Sequence, residues 1–135
     1  MQPWYYQGEP LVEAPLGYQG FVYRIHDRIN EMYYVGKKNF RKVRKLKPLK
    51  GKTNMRHRQE LSDWQEYYGS NTRLQEAVRL FGPDPFEREI LVLCVNKNTM
   101  NYWEMKIQFE LNVLTDPTYY NEYIGGRVNA RGLNI

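Results

Sequence analysis

Apolar and polar positions organise the chain most clearly between residues 21 and 35. Two runs rich in Phe, Tyr, Val and Ile, residues 21–25 and 32–35, flank a polar connection at 26–31. Such residues suit a pleated, half-buried surface, so the pattern predicts two antiparallel strands joined as a hairpin. Gly36 permits a turn at the hairpin's exit and is followed by Lys37, Lys38, Arg41, Lys42 and Arg44. Downstream, Leu74, Ala77, Val78 and Phe81 recur at helical spacing, predicting a helix over 73–81 that Ser70 or Asn71 can cap. Gly82-Pro83-Asp84-Pro85 ends it, and residues 86–95 read as a third strand, first alternating and then fully apolar, which belongs in the middle of the sheet. Trp103, Ile107, Leu111 and Leu114 mark a second helix from residue 100 to about 114, capped by Asn98 or Thr99.

The other segments carry no sustained period. Residues 1–19 hold Trp4, Tyr5, Tyr6 and three prolines and read as an N-terminal arm. Residues 39–46 predict a helix that Pro48 stops, 49–62 a basic loop, 119–124 a short extended piece, and 125–135 a glycine-rich tail. The expected fold is α/β in the broad sense (α+β): a small three-stranded sheet, mixed or antiparallel, flanked by helices.

At 135 residues with 41% hydrophobic and 15% aromatic content, the chain can bury one core and is short for two, so one domain is expected over 1–135. No apolar run approaches the roughly 20 residues needed to span a bilayer, and the N-terminus lacks the charged-then-apolar order of a secretory signal. A cytoplasmic location is therefore expected. The one cysteine, Cys94, excludes an internal disulfide and a multi-cysteine zinc site, and its apolar setting predicts a buried structural thiol.

Charge changes the picture more than the net value of +5 suggests. Between residues 37 and 58 there are eleven Lys or Arg and no acid, leaving nine basic and fifteen acidic residues elsewhere. A local patch of that density is a footprint for a phosphate backbone, and Lys42, Lys45, Lys47, Lys50, Lys52, Arg56 and Arg58 are its candidate nucleic-acid contacts. Segment 37–62 is the expected DNA-binding segment; its bland rival is a solvated loop of like charge.

Phe21-Val22-Tyr23 with Gly20 before it, and Tyr34-Val35-Gly36 on the paired run, resemble the two signatures of the GIY-YIG nuclease superfamily. Phe21 replaces the first glycine of the family name. The resemblance runs from about residue 20 to 121 and implies a GIY-YIG nuclease-like fold. It places the family's arginine on Arg44, its metal-binding glutamate on Glu104 in YWEMKIQFELNVL, and its downstream asparagine on Asn121 in YYN. The paired lysines Lys37 and Lys38 and the segment SDWQEYYGSN are similar to phage-encoded homing endonucleases of the Seg group. Many members carry a histidine just before the helix opening near Ser70; here Tyr68 and Gly69 stand there, and His57 lies a dozen residues earlier.

The chemistry follows from residue types. Phosphodiester hydrolysis needs an activated water, a cation on the phosphate oxygens and relief for the leaving oxygen. Glu104 offers a hard oxygen ligand for Mg²⁺ or Mn²⁺, Arg44 a planar fork for a phosphate, and Lys37 and Lys38 point charges. A tyrosine near its ordinary pKa of ~10 is a poor base unless cations stabilise the phenolate, and the sequence sets such cations beside Tyr23 and Tyr34. The resemblance makes Tyr23 the expected base, with Tyr34 orienting the water. The resulting expectation is a metal-dependent DNA endonuclease; the alternative is a nuclease-derived domain that binds nucleic acid without cutting, for which the lost glycine and histidine would be the marks. A monomer and a homodimer both fit.

Overall fold

The computed structural model describes residues 2–135. Its elements are β1 (Trp4–Tyr6), β2 (Glu9–Leu11), β3 (Gly20–Asp27), β4 (Met32–Asn39), β5 (Arg41–Leu46), β6 (Arg56–Leu61), α1 (Thr72–Phe81), β7 (Phe86–Cys94) and α2 (Lys97–Glu110). The fold is mixed α+β, but the sheet has five strands in the order β2-β1-β7-β3-β4, where three were expected.

The two added strands come from the segment read as an arm. Gln7 and Gly8 both adopt positive φ, 51° and 83°, the conformation of a tight two-residue hairpin turn, and β1 then lies parallel to β7 from Trp4 opposite Arg88 to Tyr6 opposite Ile90. Strands of three residues are too short to show a period. β7 is the middle strand, as expected from its apolar end, and β3 beside it is also interior, paired antiparallel with both β4 and β7, so most of its residues are buried.

A second correction concerns residues 39–46, which form strand β5 and not a helix, paired antiparallel with β6 from the segment read as a loop. Phe40 explains the outcome. Its ring is fully buried against Phe21 and Trp64, its N–H donates to Gln19 O (2.9 Å) and its carbonyl accepts from Ser62 N (2.8 Å). With both backbone groups committed to distant segments, residue 40 cannot enter a helical ladder, and tertiary pairing overrides the helix propensity of the Lys and Arg that follow.

Two cores lie on opposite faces of the sheet. On one, Phe21, Tyr23, Ile25, Phe86 and Ile90 pack with Trp4, Trp64 and Leu74 of α1; on the other, Val22, Val35 and Cys94 pack with Met100, Trp103 and Ile107 of α2. Asn71 caps α1 by accepting from Leu74 N, within the expected pair of caps; Asn96 caps α2 by accepting from Thr99 N, earlier than expected, and Leu114 falls beyond the helix and is exposed. Cys94 is buried, and burial pushes its thiol up to about 12.

Arg88 ties the first core together. Its guanidinium, 1% exposed, is stacked over Trp4 and Tyr68 and donates to the carbonyls of Gln2, Gln65 and Tyr67 at 2.6–2.9 Å. Hydrogen bonds from a charged donor contribute about 1.5–3 kcal/mol each, and three carbonyls would lose theirs together. Arg88→Met should therefore lower unfolding stability by about 3 kcal/mol in a denaturant titration; a loss under 1 kcal/mol would mean the carbonyls recruit water freely.

Candidate active site

The site is built on β4 and α2. β4 brings Tyr34 and Lys37 to one cleft, and α2 faces it with Glu104 and Gln108, which with Asn101 behind them form a polar stripe at spacings of three and four beside the apolar stripe that packs the sheet. The segment after α2 closes the third side with Asn121, Glu122 and Tyr123, and Ser70, Asn71 and Thr72 at the start of α1 close the fourth. The cleft has a volume of about 340 Å³.

Glu104 and Lys37 meet within it. Lys37 Nζ is 3.6 Å from Glu104 Oε1 and donates to Asn101 Oδ1, whose amide in turn donates to Arg127 O at 3.0 Å. The Glu104 side chain is 12% exposed. Burial pushes its carboxyl above the usual range, and Lys37 offsets only part of that rise. Gln108, one turn further along, donates from Nε2 to Val35 O at 3.1 Å, while its buried Oε1 has no partner among the described residues.

Opposite them, Tyr34 Oη lies 3.0 Å from Ser70 Oγ. Burial raises the Tyr34 phenol, and the Ser70 bond recovers part of the shift. Tyr23 sits beneath the cleft and does not line it. Its ring is fully buried, its hydroxyl has no hydrogen-bond partner among the described residues, and burial, with Tyr67 and Tyr34 adding, holds its pKa well above 10. The cations expected to lower both phenols do not outweigh burial. Two glycines make room for Tyr23: a Cβ on Gly36 would stand 2.5 Å from its Oη, and one on Gly69, where φ is +91°, 3.5 Å from it and 3.0 Å from Leu74. A side chain at position 69, such as the histidine the resemblance implies near there, would thus be strained by that φ and tight against Leu74, and Tyr68 is buried against Arg88.

Asn121 acts on the backbone. Its Oδ1 accepts from Val35 N (3.1 Å) and its Nδ2 donates to Val35 O (2.9 Å), so its amide is spent clasping the second signature strand. Tyr120 helps hold this segment by donating to Asp27 Oδ2 at 2.6 Å.

The remaining expected residues lie elsewhere. Lys38 pairs with Asp63 at 2.6 Å and sits over the Tyr67 ring, in a recess beside the cleft. Arg44 is exposed on β5, directly opposite Arg58 of β6, and is not part of the cleft. Lys42 is on the same ribbon and lines the recess, Lys45, Arg56 and Arg58 extend along the ribbon, and Lys47, Lys50 and Lys52 occupy the loop joining its strands. Sequence reasoning passed over Asn101, Gln108, Ser70 and Lys97. The spacing of Asn101, Glu104 and Gln108 was the available signal for the first two; Ser70 reads as a cap until Tyr34 is placed beside it.

The donor set suits a hard divalent cation. A largely buried carboxylate and an unpartnered amide oxygen face the same polar cleft, one turn apart on one helix. Among the described residues no three His, Cys, Asp or Glu side chains converge, so an ion there would complete its shell with water and substrate oxygens, as Mg²⁺ commonly does.

Paired tyrosine strands, a glutamate on the helix after the last strand and an asparagine clasping the second signature define a domain of the GIY-YIG nuclease class. A protein-family model described as "Putative endonuclease segE, GIY-YIG domain" matches residues 4–124, and the chain belongs to that family. Comparison with curated proteins and with solved structures returned no match. Among the described residues no helix is long and apolar enough to cross a membrane.

Proposed function

We propose that this protein is a metal-dependent DNA endonuclease that hydrolyses phosphodiester bonds, of the homing type that phages encode, using Mg²⁺ or Mn²⁺. The observation that carries the reading is the Glu104–Lys37 pair set across one cleft from the Tyr34–Ser70 hydroxyl pair. A bound Mg²⁺ supplies Lewis acidity toward the phosphate and lowers the pKa of its water. Glu104 would hold that ion, and Gln108 Oε1, without a partner among the described residues, would be available to it or to a water beside it. Lys37 places a positive charge where the phosphate oxygens gain charge. Tyr34, kept protonated by burial, donates to and orients the attacking water. Asn121 is a positioning residue that fixes Val35 and hence the strand bearing Tyr34 and Lys37. Arg44 and Lys38 bind DNA outside the cleft.

Incubation of supercoiled plasmid with the protein and Mg²⁺, with and without excess chelator, tests the reading. Metal-dependent nicking or linearisation is expected. Binding without any strand break under Mg²⁺ or Mn²⁺ would leave the non-cutting, nucleic-acid-binding alternative.

The Glu104 carboxyl also sets a pH dependence. Its pKa is raised in the fold, so the ion-holding carboxylate forms only above the ordinary glutamate range, and cleavage should rise with pH through that raised value. Lys37 is the partner pulling it down, so Lys37→Gln should move the acid limb of Mg²⁺ binding to higher pH. Carbon-13 NMR titration of the Glu104 carboxyl reads the shift directly, and an unmoved midpoint would show that the 3.6 Å pair is not felt electrostatically.

A further inference from the structure

The β5–β6 ribbon is unlike the rest of the fold. Among the described residues its strands pair only with each other, while its base is fixed by Phe40, Ser62 and Gln19, with Gln19 Nε2 donating to Arg41 O at 3.2 Å and Ser62 Oγ to Asn39 O at 2.5 Å. It is an anchored arm with a free end.

The register separates its two faces. Lys42/Glu60, Arg44/Arg58 and Leu46/Arg56 share one face; Arg41/Leu61, Val43/Gln59 and Lys45/His57 share the other. Only the Lys42–Glu60 pair is neutralised, at 3.7 Å. Arg44 and Arg58 are both exposed and directly opposed, a cross-strand like-charge pair that destabilises a ribbon in isolation. Such a pair becomes favourable when an anion lies over it.

The first face also has a connection to the cleft. Lys42 joins Lys37, Lys38 and Lys97 in a recess of about 230 Å³ with Asp63 as its one acid, and Lys37 lines both that recess and the cleft. Lys97 is the first residue of α2, where the helix dipole disfavours a cation, so its charge there does not serve helix stability. A lysine-rich track, partly offset by Glu104, Asp63 and Glu60, therefore runs from Lys37 in the cleft through Lys38, Lys97 and Lys42 to Arg44, Arg58 and Arg56.

Dimensions choose the groove. A two-stranded ribbon is about 5 Å wide between strand axes before side chains are added, and six residues of strand reach about 20 Å. The major groove of B-form DNA, about 12 Å wide, admits such a ribbon, whereas the minor groove, about 6 Å wide, does not.

We propose that the ribbon seats in the major groove of duplex DNA with its Lys42–Arg44–Arg58–Arg56 face toward the DNA, while the lysine recess carries the adjoining backbone to the cleft. This rests on the endonuclease reading for the choice of nucleic acid, and it gives the domain a groove contact within its own length.

Binding of the full chain to duplex DNA in chelator tests this, with no cleavage to confuse the signal. Arg44→Gln and Arg58→Gln each remove one exposed charge from the proposed face, and Lys45→Gln, at a residue that charge alone made a candidate contact but the register sets on the opposite face, removes one there. The first two should weaken binding about tenfold and reduce the log–log salt slope by roughly 0.9 each, and Lys45→Gln should change affinity less than about twofold. Preloading the duplex with methyl green, which occupies the major groove, should block binding, and netropsin in the minor groove should not. Double-stranded RNA, whose major groove is too narrow to admit the ribbon, should bind at least tenfold more weakly. Equal losses from both faces, displacement by netropsin alone, equal affinity for double-stranded RNA, or no duplex binding would each overturn the proposal. A wild-type protein that nicks plasmid while the two faces behave alike defeats the groove contact and leaves the endonuclease reading standing. One that shows the face asymmetry but never nicks does the reverse.

Discussion

Glu104→Gln should leave DNA binding intact and reduce cleavage by on the order of 10³-fold or more. The substitution preserves shape and removes the charge that a hard cation needs, and Glu104 is the largely buried carboxylate of the cleft, with Glu122 exposed at its rim. Stability separates this effect from damage to the fold. The Glu104 carboxyl is pushed above its unfolded value by burial, so its contribution to stability is greatest below the unfolded pKa and is lost as pH rises through the folded one. At neutral pH the ionised side chain costs stability, and its neutral amide should melt at or slightly above the wild-type temperature. The lysine it leaves behind keeps its bond to Asn101 and reaches solvent, being 31% exposed. Single-turnover cleavage, gel-shift affinity and a thermal melt on the same preparation decide the matter. Retention of more than a tenth of wild-type activity with normal binding would remove Glu104 from the metal.

The elements with long, regular patterns could be read from the chain, and those defined by pairing could not. The β3–β4 hairpin, α1 and β7 announce themselves by alternation, helical spacing and glycine-proline punctuation, and the structure has them within a few residues of the expected bounds. β1 and β2 are three residues each, and their strand character comes from β7 and from a two-residue turn. β5 and β6 are held by one another and by the buried Phe40, none of which is local information. The site divides the same way. Tyr34, Lys37, Glu104 and Asn121 come together because β4, α2 and the segment after α2 adjoin in space. Arg44 is assigned by the resemblance alone, and the ribbon that stands where a helix was expected carries it away from the cleft. Neither the burial of Tyr23 nor its slot between Gly36 and Gly69 has a signature in residue types, since buried and cleft-lining strand aromatics look alike in a sequence.

Under the proposed reading, that burial reverses the expected order of the two tyrosines. The resemblance makes Tyr23 the expected base, whereas its hydroxyl is enclosed, has no partner among the described residues and is held protonated far above neutral pH. Tyr34 Oη is the one in the cleft, with Ser70 Oγ at 3.0 Å and Glu104 among its surroundings. Tyr34→Phe, which keeps the ring and deletes the hydroxyl, should therefore slow cleavage by on the order of 10² to 10⁴, the range usual for a group that handles the reacting proton or water. Its stability should fall by no more than about 1 kcal/mol, the net contribution of one ordinary hydrogen bond. Tyr23→Phe removes a buried donor with no partner among the described residues, which relieves a desolvation cost of about 1–3 kcal/mol, so this variant should melt at or above the wild-type temperature and cut at close to the wild-type rate. Tyr23→Ala would be uninformative, because the ring packs against Trp4, Phe21 and Tyr67 and its loss would open the core. Single-turnover rates of the two Phe variants at saturating Mg²⁺ and matched pH provide the comparison. A large loss in Tyr23→Phe with Tyr34→Phe near wild type would mean that the glycine slot opens during turnover and that the buried phenol is the one the reaction uses.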